Sequence, residues 1–337
     1  MDTSWIERMA SEHFMLGQIT SLRPVRAGNI NQTAVGETDD GAVVLQEINT
    51  AVFDDPAALM ENTVRIIERQ QARNMATITF LRTGSGEWLA EQEGRVWRCY
   101  RFIDGSSTPS ILTPEEAQRT ARAFGRYAAA IDGLKLAEHL PGYHDFEGRI
   151  VALEKALAAD ASGRLSDCRE FATELMGVID RVRLTSGYRS LAKVPVRNVH
   201  NDAKGPNCIV GLTGSRTIID LDTSMPGTVI SDIGELVRSS TRDLPDAPPE
   251  LLWGQIEAVN RGYMAGFGLD LTAEERDAML LAGPLMAVEN SARFLSDHLS
   301  GDEYYGAETP GQNRRRAEAQ YELARRLVGA IEWATVS

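Results

Sequence analysis

The chain has 337 residues, 43% hydrophobic and 25% charged, a composition typical of globular proteins with a buried core. Its 48 acidic residues outnumber the 35 basic ones, and the net charge of −13 argues against a general binder of nucleic acid or acidic membranes. No apolar run approaches the length of about 18 residues that a membrane-spanning helix needs.

The first hundred residues combine strand-like runs with two helical patterns. Apolar side chains at helical spacing predict a lid helix over residues 1–18. The run 54–56, an Asp cap followed by proline, predicts a helix that ends near Arg73. Short runs rich in β-branched and aromatic residues predict an antiparallel sheet. These runs cover residues 19–24, 33–38, 42–47, 78–81, 87–90 and 96–103.

Residues 104–107, Asp-Gly-Ser-Ser, are interpreted as a linker, because nearly every pattern after them is helical. We therefore predict an α+β protein with two domains. A small antiparallel-sheet lobe with one main helix would cover residues 1–104, and a large, mostly helical lobe would cover residues 105–337. In the second lobe, a capping box at 272–275 begins a long helix that Pro284 should kink.

The most informative stretch runs from residue 199 to 222, where His-Asn-Asp-Ala-Lys-Gly-Pro-Asn precedes a predicted hairpin that ends in Ile-Asp-Leu-Asp. Phosphoryl transfer needs a carboxylate that takes the proton of the attacking hydroxyl and oxygen ligands that hold Mg²⁺ against the phosphates. Asp202 suits the first task. Asn207 and Asp220 suit the second, so this order of residues predicts the catalytic loop of a kinase.

Three further residues near this stretch receive predicted roles. Lys204 follows the base by two residues and is a candidate catalytic cation that neutralises charge on the transferred group. Asp222 is expected to face a substrate hydroxyl or to support the metal ligands. Asp232 is expected to be structural and to tie down the catalytic loop.

The predicted sheet offers residues for a nucleotide. A glycine turn between the first two strands lets backbone N–H groups approach phosphates, although an ordinary hairpin turn is the alternative interpretation. Gln46 lies on the third strand where protein kinases carry a phosphate-binding lysine. With no lysine there, Glu61 on the next helix is interpreted as a solvated charge, and an adenine is expected near residues 102–103. The candidate cofactor-binding residues are Gly28, Asn29, Asn31, Gln46, Phe102 and Ile103.

Residues 200–207 and 219–220 together resemble the aminoglycoside-phosphotransferase and choline-kinase superfamily. A narrower resemblance, to the N-acetylhexosamine 1-kinases, extends over most of the chain. Its motifs lie at residues 28–33, 45–46 with 49, 53–56, 100–103, 124–125, 143–145, 218–223 with 225–227, 293–295 with 297, and 301–304.

The resemblance implies a bilobal protein-kinase-like fold, ATP and Mg²⁺ as cofactors, and transfer to the anomeric C1 hydroxyl of a free N-acetylhexosamine. It implies Asp202 as the base and Asn207 and Asp220 as metal ligands. Arg293 and Tyr304 would contact the sugar. Periodicity alone places Arg293 in a surface ion-pair ladder, because acidic residues lie four positions before and after it.

One departure from the family pattern concerns the acceptor. Asn29 stands where the family has a histidine, in the turn Gly-Asn-Ile-Asn. Two alternatives therefore stay open, a kinase of an amino alcohol or an aminoglycoside on the same fold, and a nucleotide-binding regulatory module without turnover.

The expected location is the cytoplasm. Cys99, Cys168 and Cys208 are odd in number and far apart, which suggests neither a disulfide framework nor a zinc site. The N-terminal residues include acidic side chains and no apolar core, unlike a signal peptide. The expected partner is a small-molecule sugar, with no nucleic acid and no membrane.

Overall fold

The computed structural model describes residues 3–25, 30–108, 113–268 and 271–336. The chain divides into two compact units. The first unit comprises Met1–Ser106, Leu134–Pro141 and Ile209–Met225, and the second comprises Ser107–Gly133, Gly142–Cys208 and Pro226–Ser337. The first unit therefore includes two later segments that the predicted division at residues 104 and 105 does not contain.

The first unit is built on a six-stranded antiparallel sheet. Its strands are β1 Ile19–Val25, β2 Gln32–Thr38, β3 Gly41–Ile48, β4 Phe80–Leu81, β5 Ala90–Gln92 and β6 Arg95–Arg101, and its helices are α1 Thr3–Phe14 and α2 Pro56–Ala72. The strand order is β1-β2-β3-β6-β4, and β5 also pairs with β6. As predicted, Asp55 caps α2 by accepting a hydrogen bond from the Ala58 N–H.

The alternation of side chains along β3 and β6 gives the sheet two different faces. One face is apolar and packs against α1. Its buried core includes Ile6, Met9 and Phe14 of the helix and Val43, Leu45, Trp97 and Cys99 of the strands. On the opposite face, the antiparallel register places Gln46 of β3 beside Arg98 of β6. This face carries polar and charged groups into the interior.

The predicted linker at residues 104–107 is wrong in part, because Gly105–Ser107 forms a strand, β7. It joins a three-stranded sheet of order β10-β9-β7, in which β9 is Cys208–Gly211 and β10 is Arg216–Ile218. A side chain at position 105 would overlap the Val210 carbonyl oxygen. Glycine permits this close approach. Gly105, which the sequence suggests as part of a linker, therefore allows β7 to pair with β9.

The second unit is mostly helical. Its helices are α3 Pro114–Ile131, α4 Phe146–Ala159, α5 Leu165–Arg183, α6 Ser186–Leu191, α7 Val229–Thr241, α8 Pro249–Phe267, α9 Ala273–Met279, α10 Ala282–Ser300 and α11 Gln312–Val336. Two short strands, β8 Arg197–Val199 and β11 Met225–Gly227, pair with each other. The predicted apolar stripe of α3 is fully buried, at Ala117, Ala121, Phe124, Ala128 and Ile131.

The long helix predicted from residue 272 is two helices, α9 and α10, and Pro284 does not kink it. Pro284 is the third residue of α10. The first turn of a helix has no internal acceptors for its N–H groups, so a proline there removes no hydrogen bond. The predicted capping box is confirmed, since the Thr272 and Glu275 side chains each accept from the other residue's N–H.

Helices α3 and α8 pack so closely that their backbones nearly touch. A Cβ added at Gly262 would overlap the Gln118 carbonyl oxygen, and one added at Gly266 would overlap that of Arg122. Gly125 of α3 is equally close to the Tyr263 carbonyl. Glycine is therefore required on both helices for this packing, which lies next to the segment that carries the candidate catalytic loop.

We predict that Gly262→Ala destabilises the protein by about 1–3 kcal/mol, because the added methyl group must push the two helices apart. Gly254→Ala is the matched control on the same helix, since a Cβ at position 254 meets nothing within 4 Å. Replacing an open helical glycine by alanine should instead stabilise by up to about 1 kcal/mol. Urea unfolding of both variants measures the difference, and equal effects would contradict this account of the packing.

Candidate active site

The backbone of the predicted catalytic loop is held by one buried carboxylate, Asp232 of α7. Its oxygens accept hydrogen bonds from the N–H groups of His200 at 3.2 Å and Asn201 at 2.8 Å, and from the Tyr263 hydroxyl at 3.1 Å. Burial raises the pKa of Asp232 above its ordinary value. The predicted structural role of Asp232 agrees with these contacts.

Asn201 takes the left-handed conformation, with φ of +63°, which asparagine tolerates better than most residues. The His144 ring nitrogen Nε2 lies 2.7 Å from the Asn201 carbonyl oxygen, and the Ser231 hydroxyl donates to the Asn201 side-chain oxygen at 3.1 Å. Asn201 is 3% exposed. Its three polar groups thus fix the turn that immediately precedes Asp202.

Asp202, Lys204 and Asn207 are brought together by the structure. The Lys204 ammonium lies 2.6 Å from Asp202 Oδ2, and the Asn207 amide nitrogen donates to the same oxygen at 3.1 Å and to the Asp202 carbonyl at 2.9 Å. Residues 205–207 form a 3-10 turn that begins at Gly205. Because the Asn207 nitrogen points at Asp202, its amide oxygen points away from Asp202, as a metal ligand would require.

A cluster of buried charges lies behind the catalytic loop. His144 lies 3.4 Å from Glu289, and Arg238 forms an ion pair of 2.6 Å with Glu235. Burial alone would lower the pKa of His144, but the hydrogen bond to Glu289 and the charges of both glutamates outweigh it and raise that pKa. Burial likewise opposes ionisation of Glu235, yet the Arg238 charge leaves its pKa below the ordinary value.

Arg293 contacts Tyr305 and not the neighbouring tyrosine at 304. Its Nε donates to the Tyr305 hydroxyl at 2.5 Å, and its Nη1 lies 3.9 Å from Glu289. Arg293 is partly buried, so the surface ladder suggested by periodicity is wrong. Tyr304 is 79% exposed, and its backbone N–H, like that of Tyr305, donates to the buried carboxylate of Asp297.

In the first unit, Asp220 and Asp222 have opposite environments. Asp220 is exposed and takes a left-handed conformation, with φ of +61°, after the end of β10. Asp222 is 2% exposed, and its Oδ2 accepts from Arg98 at 2.7 Å and from Asn31 at 2.6 Å. The exposed carboxylate suits a metal ligand. The burial of Asp222 argues against its expected contact with a substrate hydroxyl.

Gln46 and Asn31, both predicted to bind the nucleotide, have protein partners. The Gln46 oxygen accepts two hydrogen bonds from Arg98, at 2.9 and 2.5 Å, and its nitrogen lies 3.3 Å from the Thr33 hydroxyl. The Asn31 oxygen accepts from the Asn49 N–H at 3.0 Å. Both side chains therefore organise the interior face of the sheet, as well as any contact they make with a ligand.

The structure describes fewer contacts for the remaining candidate nucleotide-binding residues. Gly28 and Asn29 lie outside the described residues. Phe102 is 37% exposed, and its N–H donates to the Ala42 carbonyl at 2.9 Å within the sheet. That donor is therefore already used, and Ile103 is half-buried beside it.

Sequence reasoning missed Arg98, Tyr305 and the role of His139. Arg98 interrupts the apolar run of β6, and a charged residue at an inward position of such a run is the signal that would have found it. Tyr305 adjoins the predicted Tyr304, and only the turn geometry after α10 distinguishes them. His139, whose Nε2 contacts the Asp222 carbonyl, gave no local signal.

A profile of the phosphotransferase enzyme family matches residues 21–276. The chain belongs to this family. It is a phosphotransferase that acts on a hydroxyl group, as the catalytic-loop motif predicted, and the broader of the two resemblances is confirmed. The membership rests on about three quarters of the chain, from the first strand to α9.

Solved structures confirm the predicted α+β, protein-kinase-like fold. An aminoglycoside phosphotransferase from Alicyclobacillus acidocaldarius is 14% identical, with a TM-score of 0.65 over 94% of this chain and 93% of that one. An amicoumacin kinase in complex with AMP-PNP and Ca²⁺ is 14% identical, with a TM-score of 0.65 over 97% and 94%. A choline kinase from Cryptosporidium parvum Iowa II is 14% identical, with a TM-score of 0.58 over 99% and 97%.

Membrane-spanning helices and clusters of metal-binding side chains are both absent from the described ranges. No helix in them is both long and apolar enough to cross a membrane. No group of three or more His, Cys, Asp or Glu side chains in the same ranges is arranged to hold a metal. Magnesium bound with a nucleotide needs only one or two protein carboxylates, because phosphates and water complete its shell. The exposed carboxylate of Asp220 fits that requirement.

We predict that His144 stabilises the protein more at low pH than at high pH. Because its folded pKa is raised above the ordinary 6.5, its contribution is fully present below that value and is lost as pH rises through the folded pKa. His144→Gln should therefore cost about 2–4 kcal/mol near pH 5.5 and clearly less near pH 8.5, measured by urea unfolding.

His298→Gln is the control for this pH dependence. Burial lowers the pKa of His298, so the stability that this residue contributes should decline toward acid pH, the opposite trend. A His144→Gln effect that does not change with pH would mean that His144 is neutral in the folded protein.

Proposed function

We propose that the protein transfers the γ-phosphoryl group of ATP to the anomeric C1 hydroxyl of an N-acetylhexosamine or a related free sugar. Family membership supplies the reaction class. The finer assignment is supported by the resemblance of residues 28–304 to the N-acetylhexosamine 1-kinases and by the charges that surround Asp202. Those charges are the observation that carries the choice of acceptor.

Asp202 is the base in this proposal. Lys204 and Asn207 both bind its Oδ2, and the other carboxylate oxygen would accept the proton of the C1 hydroxyl. The ion pair fixes the direction of the carboxylate, so that its other oxygen can orient the hydroxyl. Lys204 would then turn toward the transferred phosphoryl group, where a fixed cation stabilises developing charge.

ATP with Mg²⁺ is the proposed donor. Asn207 would give an amide oxygen and Asp220 a carboxylate oxygen to the metal, which neutralises charge on the phosphates when bound. A related fold, the amicoumacin kinase, was crystallised with AMP-PNP and Ca²⁺, which supports a nucleotide and a divalent cation here. Gly28 and Asn29 remain proposed phosphate contacts, and residues 102–103 a proposed adenine contact.

The buried charges behind Asp202 favour an uncharged acceptor over a cationic one. The guanidinium of Arg293 is held in this region by Tyr305 and Glu289, and the hydrogen bond to Glu289 raises the pKa of His144, which favours its cationic form. An ammonium group at the acceptor position would be repelled by the guanidinium of Arg293, whereas a neutral sugar would not.

Arg293 and a tyrosine of the turn after α10 would contact the sugar. The Arg293 guanidinium is held by Tyr305 and Glu289, so it is fixed in direction and suited to a hydroxyl or an acetamido oxygen. Tyr304 is the exposed tyrosine of the pair. Its ring lies 4.7 Å from that of Tyr305, so both tyrosines belong to the proposed sugar site.

A kinase of an amino alcohol or an aminoglycoside is the second candidate. It is favoured by the fold neighbours, one of which is a choline kinase, and by the overall net charge of −13. The two candidates differ in the charge of the acceptor, and a substrate panel separates them.

We predict that Asp202→Asn abolishes nearly all turnover while nucleotide affinity changes little. The amide keeps the shape of the side chain but accepts no proton, and loss of a general base costs about 10²–10⁴-fold in rate. Phosphate transfer and AMP-PNP binding are measured on the same preparation. Asp243→Asn, at an exposed ion pair with Arg242, is the matched control and should retain full activity. A fully active Asp202→Asn variant would remove the base from the proposal.

We predict that ATP consumption across free sugars and amino alcohols is greatest with an N-acetylhexosamine, and that its 1-deoxy analogue is not phosphorylated. The analogue lacks only the proposed acceptor hydroxyl, so it should bind and compete without reacting. Phosphorylation of the 1-deoxy sugar would move the reaction to another hydroxyl. Preferred turnover of choline or an aminoglycoside would establish the second candidate instead.

A further inference from the structure

The interior face of the sheet carries a buried cation, Arg98, on β6, whereas protein kinases have their buried lysine on the third strand. In those enzymes a lysine of the third strand pairs with a glutamate of the following helix. Here Gln46 occupies the strand position, and Glu61 of α2 forms an exposed ion pair with Arg65. The antiparallel register places Arg98 directly opposite Gln46, so the positive charge lies one strand away.

Arg98 is nearly completely enclosed and bonded on every nitrogen. Its side chain is 3% exposed. Nε and Nη2 donate to the Gln46 oxygen, Nη2 also donates to Asp222 Oδ2, and Nη1 lies 3.8 Å from the Met60 sulfur. Gln46 thus orients the guanidinium, and the guanidinium in turn holds Asp222.

Arg98 is the charged partner of the buried Asp222 side chain. A carboxylate that is 2% exposed is costly to ionise unless a cation and hydrogen bonds compensate it. Asn31 provides one further hydrogen bond to Oδ2, but among the described residues Oδ1 has no hydrogen-bond partner. Burial alone would lower the pKa of Arg98, and the charge of Asp222 outweighs it, so that pKa is raised.

The backbone of Asp222 is held as well. His139 Nε2 donates to the Asp222 carbonyl, and His139 Nδ1 lies 3.2 Å from the Asn62 amide nitrogen of α2. The Asn62 side chain also bonds both the N–H and the carbonyl of Ala137, each at 2.9 Å. The turn at residues 220–222 is therefore fixed at its side chain by β6 and at its backbone by residues 137–139.

We propose that Arg98 is a positioning residue for the divalent-cation site, which it maintains by holding Asp222 and thereby the turn that presents Asp220. This inference rests on the proposed function, because Asp220 is a metal ligand only if the protein binds a nucleotide with a divalent cation. Asp220 is exposed and takes a left-handed backbone conformation. The buried residue two positions later fixes one end of the turn on which Asp220 lies.

The test measures AMP-PNP affinity by calorimetry, with MgCl₂ and with EDTA, for wild type, Arg98→Lys and Asp222→Asn. A lysine keeps the charge but lacks the planar fork that reaches Gln46 and Asp222 together. Loss of a group that orients a metal ligand weakens metal binding about 10–100-fold. We expect that loss with MgCl₂ and a change below about twofold with EDTA.

Arg95→Lys is the matched control on the same strand. Arg95 forms a two-pronged ion pair with Glu47 of β3, at 2.8 and 2.7 Å, and is 31% exposed. It should leave both affinities unchanged. Thermal unfolding of each apoprotein reports the purely structural loss separately, because a structural role alone would lower both affinities together.

The outcomes distinguish this inference from the function on which it rests. A wild-type protein whose AMP-PNP affinity does not depend on Mg²⁺ would overturn the proposed function. A wild-type protein that does depend on Mg²⁺, with Arg98→Lys equal to Arg95→Lys, would overturn only the role of Arg98. If Arg98→Lys and Asp222→Asn fail to fold, Gln46→Leu, which keeps the ion pair, is measured in the same way. If it also fails to fold or behaves like wild type, the role is overturned.

Discussion

A buried carboxylate holds each of the two turns that present the functional acids of this protein. In the second unit, Asp232 accepts from the backbone of His200 and Asn201, two residues and one residue before Asp202. In the first unit, Asp222 follows Asp220 by two residues and is bound by Arg98. Each turn includes one left-handed residue, which costs about 1–2 kcal/mol. The hydrogen bonds to the buried acids offset that cost.

The two anchors differ in how their charge is compensated. Asp232 is bound by two backbone N–H groups and the Tyr263 hydroxyl, and burial raises its pKa. Asp222 has the guanidinium of Arg98 as a direct partner. A neutral isostere at residue 232 has one acceptor oxygen, so it would leave one of the two backbone N–H groups, which bind different carboxylate oxygens, without an acceptor. A neutral isostere at residue 222 would leave a buried cation unpaired. Each loop therefore depends on an intact carboxylate, one as a double acceptor and the other as a counter-charge.

The sequence alone predicted the structure correctly wherever the interacting residues lie close together in the chain. Asp202, Lys204 and Asn207 lie within six residues, and their contacts follow from one loop. The capping residues Asp55 and Thr272 act within three positions. The broad fold followed from the order of patterns, strands first and helices afterwards.

The sequence alone did not reveal contacts between residues that are far apart in the chain. Arg98 and Asp222 are 124 residues apart, and only the register of β3 with β6 reveals which side chain shares the interior face with Gln46. The sequence does not distinguish the role of Tyr304 from that of Tyr305. The directions of these two side chains depend on the hydrogen bonds that both backbone N–H groups donate to Asp297. The strand at residues 105–107 depends on a partner in β9, about a hundred residues later.

The choice of acceptor depends on where charges lie and not on how many there are. A net charge of −13 suggests affinity for cations, but surface charges beyond about 8–10 Å are screened at physiological ionic strength. Buried groups are screened much less, and the Arg293 guanidinium is held beside the buried carboxylate of Glu289. His144 contacts both Glu289 and the Asn201 carbonyl oxygen. This histidine therefore connects the geometry of the catalytic loop to the buried charges near the proposed acceptor site.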